Sequence, residues 1–179
     1  MKKLTVRDIT LFAMMLAIIE VSKLALSFLP NIELTTFWII IFTLFFKERI
    51  IPVIPAFILI EGVIYGFGLW WFMYLYIFPL IALMTYLFRK NKSVIFWSVF
   101  SSVFGFLFGF LCSFPYIIIG ALEGGIKNGI TYAFSWWVAG ISWDIVHGVG
   151  NFFLMLALYV PIIKVTEKLS KKFFADKKD

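Results

Sequence analysis

A single cysteine, Cys112, and a single histidine, His147, are all that the 179-residue sequence offers of the two residue types most used for metal and redox chemistry. One thiol cannot close a disulfide within the chain. One imidazole beside one carboxylate is too small a ligand set for zinc, so no metal site and no cofactor are expected. Charge is scarce as well, at 15% of residues. The sequence also lacks the glycine loop with its lysine that cradles nucleotide phosphates, which excludes ATP hydrolysis by this chain alone. Neither a low-complexity linker nor an inverted internal repeat stands out.

What is abundant is apolar surface. Hydrophobic residues make up 63% of the sequence, with 23 Phe, 7 Trp and a mean hydropathy of +1.00. A soluble domain of this length would be left with far more apolar surface than it can bury, whereas a bilayer accepts that surface. The expectation is one all-α transmembrane domain over residues 1–179, multi-pass in the cell membrane. The opening "MKKLTVRDIT" leads into an apolar run too long for a cleaved signal peptide, so that run is expected to stay as the first helix.

Charges and turn residues divide the chain into six candidate spans, near residues 6–28, 33–46, 50–66, 69–88, 93–121 and 131–163. The second and third fall short of the roughly 20 residues of a full crossing, which suits tilted helices in a compact bundle with a cavity. Placing the N-terminus inside puts Lys2, Lys3, Arg7, Lys47, Arg49, Arg89, Lys90, Lys92, Lys164, Lys168, Lys171, Lys172, Lys177 and Lys178 on the cytoplasmic side, and leaves only Lys127 outside. This asymmetry predicts six spans with both termini cytoplasmic. The net charge of +6 is then a matter of topology and not of nucleic-acid binding.

Ionisable groups inside apolar spans are costly and are usually paired or functional. Here they are Glu20 and Lys23 on the first span, Glu61 on the third, and Asp144 and His147 on the sixth. A spacing of three puts each of the two pairs on one helix face, with Asn151 a turn beyond His147. Glu20 and Lys23 read equally as a self-satisfied ion pair and as cavity residues; Asp144 and His147 point to a ligand pocket. Aromatic residues crowd the outer ends of the spans in "YGFGLWWFMYLY" and "NGITYAFSWW". These segments serve either as an interfacial belt or as stacking walls for a flat ligand, with Trp70, Trp71, Tyr74, Asn128, Tyr132 and Trp136 as the candidate contacts. Ser135 and Ser142 near His147 do not make a triad with an oxyanion hole, so catalysis is not expected.

Ala13 and Ala17, in "AMMLA", lie one turn apart and permit close approach of another helix. With six spans, cytoplasmic termini and a basic inner face, the whole chain resembles the substrate-binding S component of bacterial energy-coupling factor (ECF) vitamin transporters. That resemblance implies a vitamin held toward the outer side of the cytoplasmic membrane. The loop from Leu29 to Glu33, the loop between the third and fourth helices, the loop after the fifth, and the outer parts of the fourth and sixth would enclose it. It also implies partners: a membrane coupling subunit docked on Ala13 and Ala17, and two ATPase subunits that supply the energy. The aromatic lining suits a heterocycle such as a pyridoxine-like compound or a thiamine-precursor pyrimidine, with cobalamin or pantothenate as further candidates. Two other classes stay open on sequence grounds: a membrane interaction or morphogenesis subunit without a ligand, and an ion-coupled secondary transporter using Asp144 or Glu61.

Overall fold

The computed structural model describes residues 4–175, with side chains described through 169. Lys2, Lys3, Lys177 and Lys178 lie outside the described residues, as do the side chains of Lys171 and Lys172. Every regular element among the described residues is helical: α1 (Val6–Ala25), α2 (Thr35–Phe46), α3 (Val53–Tyr65), α4 (Leu69–Phe88), α5 (Val94–Cys112) and α6 (Phe114–Ala175), with a short 3-10 turn at Lys47–Ile50. Two stretches are long and apolar enough to cross a membrane, Leu69–Phe88 and Val94–Leu169.

Local chemistry sets the helix ends. At the start of α1 the Thr5 hydroxyl accepts from the Asp8 N–H at 3.2 Å while the Asp8 carboxylate accepts from the Thr5 N–H at 3.1 Å, a reciprocal cap. Leu11, Met15 and Ile19 form the buried ridge of α1, four residues apart, and Ala13 and Ala17 lie on its exposed side. By contrast α2 is apolar all round, as a helix enclosed by others should be. It packs against α1, α4 and α6 and carries the centre of the core with Ile39, Ile40 and Ile41.

The sequence pattern and the structure part company in the last third of the chain. The expected fifth span, 93–121, is broken at Ser113, and the expected sixth, 131–163, starts late and stops early: its helix already runs at 126 and continues to Ala175. Only Gly124 and Gly125 leave helical geometry between them, and Gly125 has φ +78, a left-handed conformation that glycine adopts without a Cβ penalty. The chain reverses there. The Asn128 side-chain amide donates to the Gly120 carbonyl at 2.9 Å, and Tyr116 stacks on Trp136 with ring centres 4.6 Å apart, so 114–123 lies back along 126–175 as a helical hairpin.

The two arms approach closely because α5 turns a face of small residues, Ser98, Ser101, Ser102, Gly105 and Gly109, toward α6. A Cβ on Gly105 would come within 2.8 Å of the Gly148 Cα, so backbone meets backbone there. Further along, the Ser101 hydroxyl donates to the Asn151 carbonyl at 3.2 Å and the Asn151 amide donates to the Ser101 carbonyl at 3.4 Å. Asn151 therefore fastens α6 to α5 and does not extend a ligand-facing stripe.

Basic turns gather at one end of the bundle. Arg49 in the 3-10 turn pairs with Asp8 at 3.1 Å. The Tyr86 hydroxyl, at the end of α4, donates to Glu48 of the same turn at 2.6 Å and holds that carboxyl below its ordinary range. The N-terminus of α1, the 47–50 turn and the end of α4 are thereby tied together, and the opposite end of the bundle is left for the site.

Candidate functional site

At the end away from the basic turns, the C-terminal parts of α1, α3 and α5, the N-terminal part of α4, the middle of α6 and the loop 26–34 surround an open cleft of about 770 Å³. That volume falls within the usual range for small-molecule sites, roughly 300–1,000 Å³. Of the residues singled out from sequence, Lys23, Glu61, Trp70, Tyr74, Trp136, Asp144 and His147 line it.

Three others do not. Trp71 turns its indole N–H onto the Ile58 carbonyl at 2.7 Å and packs edge-on to Phe67, so it joins α4 to α3. Asn128 is spent on the Gly120 carbonyl at the α6 hairpin. Tyr132 meets Tyr116 edge-on and is otherwise exposed. Neighbouring aromatic residues in one sequence segment point to different sides of a helix, and spacing along a single helix cannot say which side faces a cavity made by four others.

The charged groups sort themselves across helices. Lys23 forms an ion pair with Glu61 on α3, not the pair with Glu20 that their spacing allows. Its ammonium also sits over three rings, 5.1 Å from the centre of Tyr65 and 5.9 Å from those of Phe57 and Tyr74. Glu20 lies beside this pair, its carboxyl next to that of Glu61.

On the opposite wall Asp144 is 7% exposed, and its Oδ1 accepts from the Gly109 backbone N–H at 2.9 Å while the Trp137 indole stands beside the same carboxylate. The glycine is what permits this: a Cβ on Gly109 would lie 2.6 Å from the Asp144 Oδ1. His147 packs edge-on to Phe108 with ring centres 5.0 Å apart, and its Nε2 stands 3.8 Å from Glu33 Oε1, beyond hydrogen-bonding distance. Nε2 of His147 is buried without a hydrogen bond, and Oε1 of Glu61 is buried beside the Glu20 carboxyl. Buried polar atoms in a folded chain are nearly always bonded, so the His147 nitrogen beside the cleft needs an explanation.

Glu33 is the cleft residue that the sequence did not mark individually. It precedes α2 in "LPNIELTTFW" as an ordinary-looking loop carboxylate, and its other oxygen accepts from the Thr35 hydroxyl at 3.1 Å. Phe108, Cys112, Tyr65 and Trp143 also line the cleft; Phe108 and Trp143 sit in apolar runs with nothing to distinguish them, and neither the single cysteine nor Tyr65 was marked as a contact. Among the described residues no three His, Cys, Asp or Glu side chains converge to hold a metal ion.

The chain matches no protein-family model, no curated protein and no solved structure.

Proposed function

We propose that this chain is a membrane-embedded, substrate-binding subunit of the ECF S-component type, which captures a vitamin or related small heterocycle at the cleft and passes it on through an ATPase-driven partner. The observation that carries the reading is the cleft itself, where Lys23, Glu33, Glu61, Asp144 and His147 gather around a space walled by Trp70, Tyr74, Phe108 and Trp136. A purely structural bundle gains nothing by collecting ionisable groups around an open volume.

The membrane part of the proposal rests on the outside of the bundle. Phe72, Leu83 and Leu87 on α4, Ile95, Val99 and Val103 on α5, and Ile145, Val149 and Phe153 on α6 are all exposed, which leaves an apolar exterior as well as an apolar core. Six passes with cytoplasmic termini would put the basic turns inside and the cleft outside. In that arrangement Ala13 and Ala17, on the exposed side of α1, form the surface for the coupling subunit, and two ATPases supply what this chain lacks.

The test is native mass spectrometry of the purified protein from vitamin-rich culture. A small molecule of defined mass that is lost from a cleft variant such as Trp136→Ala supports the reading. A bare protein whose melting temperature no vitamin changes favours a subunit that only makes protein contacts.

A further inference from the structure

Taking the cleft as a ligand site, as proposed above, we infer that its ligand is a planar aromatic compound presenting a protonated nitrogen or amino donors to Asp144 and Glu33, and not a carboxylate vitamin. The argument is one of charge and of which charges are already spoken for. Glu33, Glu61 and Asp144 line the cleft with a single ammonium, Lys23, and Glu20 lies beside the Lys23–Glu61 pair, so carboxyl groups outnumber the one ammonium by four to one. That ammonium is already paired with Glu61 and faces the rings of Tyr65, Phe57 and Tyr74, so a ligand carboxylate would have to share it with Glu61 while the other carboxyl groups of the cleft repel it.

Acceptors, by contrast, outnumber the donors around them. Oδ2 of Asp144, on a side chain more than nine-tenths buried, makes no hydrogen bond of good geometry and has only the Trp137 indole beside it, and Oε1 of Glu33 has only the His147 Nε2, 3.8 Å away. A ligand donor placed between α6 and the loop 26–34 would satisfy both walls at once and give His147 a partner. Charge-assisted hydrogen bonds of this kind are the stronger class, and in a partly buried cleft they discriminate sharply against a like charge. The aromatic walls set the shape: Trp136 is held flat by its stack on Tyr116, and Trp70 meets Tyr74 edge-on at 5.2 Å, so a flat ring is the body these surfaces fit.

The experiment uses the detergent-purified full chain and matched probes of one ring system, pyridoxamine against pyridoxic acid, with thiamine as a second cation and biotin as a second anion. Quenching of the cleft tryptophans reads binding, and native mass spectrometry identifies any ligand carried through purification. The expected result is saturable binding of at least one cation, no binding of either acid, and a carried ligand bearing a basic or amino nitrogen. Asp144→Asn should weaken the cation by about 10- to 100-fold, the loss expected for a charged hydrogen bond. Glu33→Gln, on a loop and so safe for folding, should weaken it in the same direction, and Glu33→Lys should shift preference toward the acid of the pair. Preferred binding of an acid, or a carried carboxylate ligand, overturns the charge inference and leaves the cleft a binding site. Absence of any carried ligand and of quenching by every probe overturns both.

Discussion

Lys23 on α1 pairs with Glu61 on α3, across a helix boundary, although Glu20 stands one turn away on its own helix. Glu61 is fully buried, so removing one member strands the other. Glu61→Met is expected to cost about 3–5 kcal/mol, the usual penalty for breaking a buried pair from one side, while adding Lys23→Met recovers most of it. Melting of the wild type, the two single Met variants and the double in detergent measures the coupling. A double variant whose loss equals the sum of the two single losses would mean that the pair is not coupled.

The close contact of α5 and α6 gives two glycines with different consequences. Gly105→Ala forces backbone apart at Gly148 and should destabilise by about 1–3 kcal/mol, the range for overpacking a tight interface. Gly109→Ala instead pushes on the Asp144 carboxylate. Its expected signature is weaker ligand binding with a smaller change in melting temperature, read by the same quenching titration.

Asn151 separates structure from site on the same helix. Asn151→Ala removes the side-chain amide's hydrogen bond to the Ser101 carbonyl, leaves the Ser101 hydroxyl its bond to the backbone carbonyl at 151, and should lower stability by about 1–3 kcal/mol. Ligand affinity should stay unchanged, because the side chain is not among those lining the cleft. A matched loss of affinity would place Asn151 in the site after all.

Adjacent tryptophans make a second internal control. Trp70→Ala should abolish tight binding by removing a cleft wall, whereas Trp71→Phe should lower the melting temperature through loss of its bond to the Ile58 carbonyl and leave the dissociation constant within about two-fold.

Replacing Ala13 and Ala17 together by Leu tests the partner surface. Both residues are exposed on α1, away from the cleft, so binding and stability should persist while co-purification with the coupling subunit is lost. Retained assembly would move the docking surface elsewhere.

How far these residues could be read without coordinates depended on whether the relevant neighbour was on the same helix. Helix α4 was legible to the residue, because charges and glycines bound it on both sides. The reversal at Gly124 and Gly125 was not, because "GALEGGIKNGI" reads as a loop by its glycines, while all but two of those positions continue as helix. Depth in an apolar run correctly raised Lys23, Glu61, Asp144 and His147 as costly groups needing partners. Which partner each takes was out of reach: Asp144 meets the Gly109 backbone and His147 faces Glu33, 35 and 114 positions away along the chain. Aromatic crowding located the right end of the bundle but could not tell Trp70 from Trp71.

The two-glycine reversal also shapes the approach to the cleft. Helices α1, α3, α4 and α5 all have an end at its rim, but the hairpin of α6 runs on for roughly ten residues past Cys112, about 15 Å at the helical rise. The cleft is thus a threshold with one high jamb and one low sill: the hairpin stands over one side, carrying exposed Ile118, Leu122 and Ile126, and the loop 26–34 lies across the other. On the binding-site proposal, the low side by which a ligand would enter is the sill, where Glu33 stands.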